Sequence, residues 1–173
     1  MALSTIGTNA ITDATIATGD IADSAVTAAK STAHITMMDQ WIVTSSASYS
    51  SSQNATVASN WARNTNDFSG IGTGMTESSG VFTFPQTGLY AIHVQAQFYR
   101  NGAEVQYVSL TPQFDSGDNT FSAVAENYTN IRDSGTTHST TTCMPVVDVT
   151  DIANQFIRFQ LQSNNSFVLN CSS

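Results

Sequence analysis

The sequence predicts an all-β fold, an antiparallel sandwich of the jelly-roll kind with an extended arm at its N-terminus. Three observations carry this expectation. Short runs of β-branched and aromatic residues alternate with polar ones at a period of two, clusters of Asn, Gly, Asp and Ser punctuate those runs, and no stretch repeats apolar residues at the i, i+3, i+4 spacing of an amphipathic helix.

The arm comes first. From residue 6 the chain reads IGTNA ITDAT IATGD IADSA VTAAK, which places Ile6, Ile11, Ile16, Ile21 and Val26 five residues apart. Steps of five rotate an apolar position by about 140° on a helix and switch its face on a strand, so neither element gives one continuous apolar side. A bend or turn within each block reconciles the period with a single apolar edge, and Gly7, Gly19 and the Asx, Ser and Thr positions can supply it. Such an arm buries too little apolar surface to offset its own ordering entropy. It is expected to pack on other copies of itself or on another protein, which makes residues 1–33 an arm or shaft and residues 34–173 the head. A flexible Ser/Thr/Ala linker is the alternative.

In the head, Leu89 to Phe98 is the clearest strand, with Tyr90, Ile92, Val94, Ala96 and Phe98 on one face and His93, Gln95 and Gln97 on the other. Phe156 to Gln162 repeats the pattern, with Ile157, Phe159 and Leu161 inward and Arg158 and Gln160 outward. Further strands are expected at Met38 to Thr44, Ala55 to Ala62, Gly80 to Phe84, Val105 to Phe114, Phe121 to Tyr128, Cys143 to Val149 and Ser166 to Cys171. Turns fall at Asn101-Gly102, Ser116 to Asn119, Asp133 to Gly135 and Ser163 to Asn165. The Thr-rich run from Gly135 to Thr142 extends one of these loops.

Composition narrows the functional classes. The chain has 22 Ser and 24 Thr among 173 residues, and only 10% of its residues are charged against ~25% in an average domain. A net charge of -8, with Lys30, Arg63, Arg100, Arg132 and Arg158 scattered singly, leaves no basic stripe for phosphates. Nucleic acid and anionic membranes are therefore not expected partners. The first residues show neither a basic segment nor an apolar run, so no secretory signal is expected. Cys143 and Cys171 are too few for a disulfide framework and are expected to be reduced strand residues.

Within GVFTFPQTGLYAIHV, residues 80–94, Phe82 is followed by Gly88, Tyr90 and Ile92 at the spacing F-x5-G-x-Y-x-I. Pro85 and Gly88 form the turn, while Phe82 and Tyr90 bracket the core. This segment resembles the signature of the complement component q-subunit and tumour necrosis factor-like superfamily, in which F-x5-G-x-Y-x-F joins one strand to the next; Ile92 stands in place of its last Phe. The resemblance implies a jelly-roll head and a homotrimer. The arm resembles repeats beside fibre and appendage proteins of tailed phages, which implies a trimer with an arm fixed to the virion and a projecting head.

There is no G-x-S-x-G elbow, and His34, His93 and His138 stand in no metal or nucleophile motif. Gly70 to Gly74 lacks the Lys and following helix of a phosphate loop and reads as a flexible turn. Asp115 and Asp118, flanking Gly117, form a weak calcium candidate, although hairpin geometry alone calls for the same residues. No enzyme activity and no cofactor are expected. The expected protein is a non-catalytic homotrimer on a virion surface, a short fibre that docks on other virion proteins through residues 1–33 and meets a host glycan or receptor through loops around Asn101, Asp115, Asp118, Asn119, His138 and Asn164. The alternatives are a capsid decoration protein and a carbohydrate-binding trimeric module.

Overall fold

The computed structural model describes residues 21–22, 25–26, 35–50, 54–66, 68–132 and 137–171. Met37–Ser173 forms a unit of its own. Its described residues make fifteen strands and no helix. They are β1 (Trp41–Val43), β2 (Ala47–Tyr49), β3 (Asn54–Thr56), β4 (Trp61–Arg63) and β5 (Thr76–Ser78). Next come β6 (Val81–Thr83), β7 (Gly88–Ala91), β8 (Val94–Arg100), β9 (Val105–Asp115) and β10 (Phe121–Ala123). The last five are β11 (Thr129–Ile131), β12 (His138–Cys143), β13 (Val146–Val149), β14 (Phe156–Ser163) and β15 (Phe167–Asn170).

Two antiparallel sheets face each other. One has the order β12-β8-β15-β2; the other runs β10-β9-β14-β6-β5, with β11 also on β9 and β3 on β14. Chain neighbours β8 and β9, and again β14 and β15, lie in opposite sheets, so the chain crosses the sandwich as a jelly roll does. Smaller pairs β7-β13 and β1-β4 complete it. The core lies between the inward rows that alternation requires: Val94, Ala96 and Phe98 on β8 face Ile157, Phe159 and Leu161 on β14. Phe82 gathers three rings around it, those of Trp41, Trp61 and Phe159, centred 5.2 to 5.5 Å away and all edge-on.

The expected strands Leu89 to Phe98 and Ala55 to Ala62 each divide. The first becomes β7 and β8 with its alternation intact. The second breaks because Asn60 takes a left-handed backbone (φ 65°) and the Trp61 indole N–H turns back to the Val57 carbonyl at 2.8 Å. Phe121 to Tyr128 ends early as β10, and pairing with β9 resumes at β11, whose own register shifts between Thr129 and Ile131. The Thr-rich run is not a loop beyond residue 137. β12 pairs with six residues of β8, because Thr is β-branched and its hydroxyl suits a sheet face that turns outward.

Besides β11 and most of β12, two short strands escaped the sequence reading. β2 pairs with β15, and β5 joins β6 through a two-residue hairpin in which Ser79 (φ 54°) and Gly80 (φ 81°) are both left-handed. A Cβ on Gly80 would lie 2.3 Å from the Val57 carbonyl oxygen, so only glycine fits there. Nor is Gly70 to Gly74 a free turn. Ile71 exchanges both backbone bonds with Met38, at 2.8 and 3.0 Å.

Candidate interaction surface

Jelly-roll sandwiches have two outward faces, and the residues on each are set by strand parity. On the β12-β8-β15-β2 sheet the outward rows are His138–Tyr99–Val168–Ser48, then Thr140–Gln97–Asn170, then Thr142–Gln95. No Asp, Glu, Lys or Arg stands in these rows. The same face continues along β7 and β13 to Leu89 and Val146, which are 76% and 63% exposed, with Met144 at 66% beside them and Asp148 opposite Leu89. A polar but uncharged sheet face thus ends in exposed aliphatic side chains.

The outward face of the other sheet is different. Along β14 the outward residues are Phe156, Arg158, Gln160 and Gln162, beside Asp115, Gln113, Thr111 and Ser109 of β9. Arg158 donates through Nε to Gln113 Oε1 at 2.8 Å and lies 4.2 Å above the Phe121 ring. Gln113 in turn donates to Gln160 Oε1 at 2.8 Å. At the far end Tyr128 donates its hydroxyl to Gln162 Oε1 at 2.8 Å and meets Tyr107 edge-on at 6.0 Å. The Tyr128 hydroxyl is held above the usual phenol range by burial, then by the Glu126 carboxylate and neighbouring Tyr107. A shallow groove of about 290 Å³ lies at the Phe121 end, and one of about 350 Å³ at the Tyr107–Tyr128 end.

The residues singled out in the sequence separate on these surfaces. Phe82 is buried, Tyr90 and Ile92 are half-buried against the core, Pro85 lies in the bend between β6 and β7, and Gly88 opens β7. The Tyr90 hydroxyl closes that bend on the Gln86 carbonyl at 2.7 Å. The candidate loop residues lie at opposite ends of β9. Asn101, His138 and Asn164 are at one end, with Asp115, Asp118 and Asn119 about 34 Å away at the other, given ~3.4 Å per residue along the eleven-residue strand. They do not form one contact surface.

Asp115 is also no contact residue, being 2% exposed, because its Oδ1 accepts the N–H groups of Gly117 and Asp118 and so ties its own loop. Asp118 Oδ1 likewise accepts from Thr120 N–H. Among the described residues no three His, Cys, Asp or Glu side chains are grouped to hold a metal. His138 is on β12 beside Tyr99 rather than in a loop. Asn164 turns its Oδ1 to the N–H groups of Gln106 and Tyr107, at 2.9 and 3.2 Å. Cys143 and Cys171 are free thiols, and burial raises the pKa of Cys143. In the arm, the Ala25 N–H meets the Ala22 carbonyl at 3.0 Å between exposed Ile21 and Val26. Ile6, Ile11 and Ile16 lie outside the described residues.

Sequence reasoning missed the amide and tyrosine row. Its signal was present in the outward positions of Phe156 to Gln162, but Tyr107, Tyr128 and Gln113 join that row only through strand pairing.

No protein-family model and no curated protein matches the chain. Among solved structures, the crystal structure of murine APRIL at pH 8.5 superposes with a TM-score of 0.52 at 9% identity, covering 79% of this chain and 98% of that one. The fold is a tumour necrosis factor-like jelly roll.

Proposed function

We propose that the protein is a non-catalytic homotrimer of a virion surface, whose N-terminal arm docks on the particle and whose head meets the host. The observation that carries the trimer is the uncharged face of the β12-β8-β15-β2 sheet, continued by exposed Leu89, Met144 and Val146. Covering these side chains with a second copy removes apolar surface from water without stranding a charge, Asp148 at the rim excepted. Threefold closure follows the tumour necrosis factor-like build of the head. The five-residue apolar period of the arm supports docking, since an arm of that kind gains order only from a partner.

Sedimentation at micromolar concentration tests the assembly. The expected mass is about three times the 18.4 kDa of one chain. Replacing Leu89 and Val146 together by Glu is expected to give monomers that keep their β circular dichroism. A monomeric wild-type chain overturns the trimer. Antibody labelling of intact particles tests the location: unlabelled particles overturn it, while a few copies at the tail or hundreds over the capsid separate a fibre from a decoration protein.

A further inference from the structure

We propose that the outward face of the β9–β14 sheet binds an extended, uncharged oligosaccharide, laid along the row from Phe121 to Tyr107. The row's ends carry aromatic rings, Phe121 at one and the exposed Tyr107–Tyr128 pair at the other, each bordering a shallow groove. Between them stand the half-buried amides of Gln160 and Gln162, held in place by each other and by Gln113, which is itself buried beneath them at 8% exposure. Phe156 and Gln162 mark a separation of about 20 Å at ~3.3 Å per residue, which spans several linked sugar rings rather than one.

The amides are oriented without being exhausted. Gln160 Oε1 accepts from Gln113, and Gln162 Oε1 accepts from Tyr128, yet the Gln160 Nε2 group and the Tyr107 hydroxyl have no hydrogen-bond partner among the described residues. A ligand rich in hydroxyls, which both donate and accept, matches such a row, and the C–H faces of its rings match flat aromatic surfaces. Fixing the amides in advance also lowers the ordering cost of binding.

Charge selects a neutral ligand. The one cation of the row, Arg158, is taken up by Gln113 and the Phe121 ring, and the Asp115 carboxylate is turned to its own loop. An anionic polysaccharide would meet no free cation here, and a chain of net charge -8 would repel it. Asn164 is then a positioning residue, because its bonds to the Gln106 and Tyr107 N–H groups set the start of β9 and so the place of the Tyr107 ring.

This inference gives the attachment reading of the head a ligand class and rests on that reading for its biology. Binding is measured on the purified full chain, so its failure leaves the trimer and particle tests untouched. The probes are an array of neutral glycans four to eight sugars long and a matching array of sulfated and uronic-acid glycans. Expected are signals on the neutral array only, weakened at least about tenfold when Tyr107 and Tyr128 are both replaced by Ala. Gln160→Ala weakens binding as well, whereas Tyr128→Phe, which keeps the ring, retains most of it. Circular dichroism of each variant confirms the fold. No signal on the neutral array, signal confined to the anionic array, or binding that survives the double Tyr replacement in a folded chain overturns the proposal.

Discussion

Asp39 shows how much one side chain can organise. Its carboxylate is 4% exposed and accepts from the Trp41 indole at 2.9 Å and the Met75 N–H at 2.8 Å, with the Arg63 guanidinium 3.4 Å away. Arg63 donates to the Met75 carbonyl and lies 5.1 Å over the Trp41 ring. Gly74 closes this knot: at φ 73° its Cβ would lie 2.2 Å from Arg63 Nη1 and 2.8 Å from Asp39 Oδ2. Gly74→Ala is therefore expected to lower stability by about 2 kcal/mol or more in urea unfolding. Asp39→Ala, which strands buried donors, is expected to cost ~2 to 4 kcal/mol. A second expectation concerns alkali. Burial raises the pKa of Tyr49 and Tyr90, the latter against the opposing pull of its bond to the Gln86 carbonyl. A raised folded value favours the neutral phenol, so this stability is complete below the unfolded pKa of about 10 and is lost as pH climbs through the folded one. Urea midpoints should fall as the pH rises above about 10, less steeply in Tyr49→Phe. None of the Asp39 knot was legible in the sequence, because Asp39, Arg63 and Gly74 meet only after the chain has folded on itself. The Phe82 to Ile92 signature was legible because its parts are local.

Strands differ in how well each is held. β14 lies within its sheet, pairing with β9 over eight positions and with β6 and β3 on its other edge. Among the described residues β5 pairs only with β6, and β10 only with β9. Hydrogen exchange should therefore find the slowest amides in β9 and β14 and the fastest strand amides in β5 and β10, by orders of magnitude. Comparable rates in β14 and β5 would contradict that ranking. Length also explains which strands the sequence revealed. β8, β9 and β14 show several cycles of alternation, while β2 and β5 have three residues each and hold too little pattern to stand out. β12 was hidden for another reason: its inward residues are Ser139, Thr141 and Cys143, so its alternation is one of polar against polar. The candidate loops were legible as turns but not as neighbours, since which ends of the sandwich they share depends on pairing across the chain.

For the molecule as a whole, the proposed assembly through the uncharged face would make thermal stability depend on protein concentration. The midpoint should rise as the chain is concentrated from micromolar to hundreds of micromolar, and it should be constant in the Leu89→Glu, Val146→Glu variant. With an isoelectric point near 4.4, solubility should pass through a minimum close to that pH. Antiparallel pairing of β9 with β14 has a mechanical side. Their hydrogen bonds lie perpendicular to the strands, so a pull that slides one strand along the other strains all eight register pairs together instead of peeling them in turn. A sheet loaded in this way resists tearing at forces that would unzip a hairpin, and the strands that frame the proposed glycan row are those that would bear a tethered load.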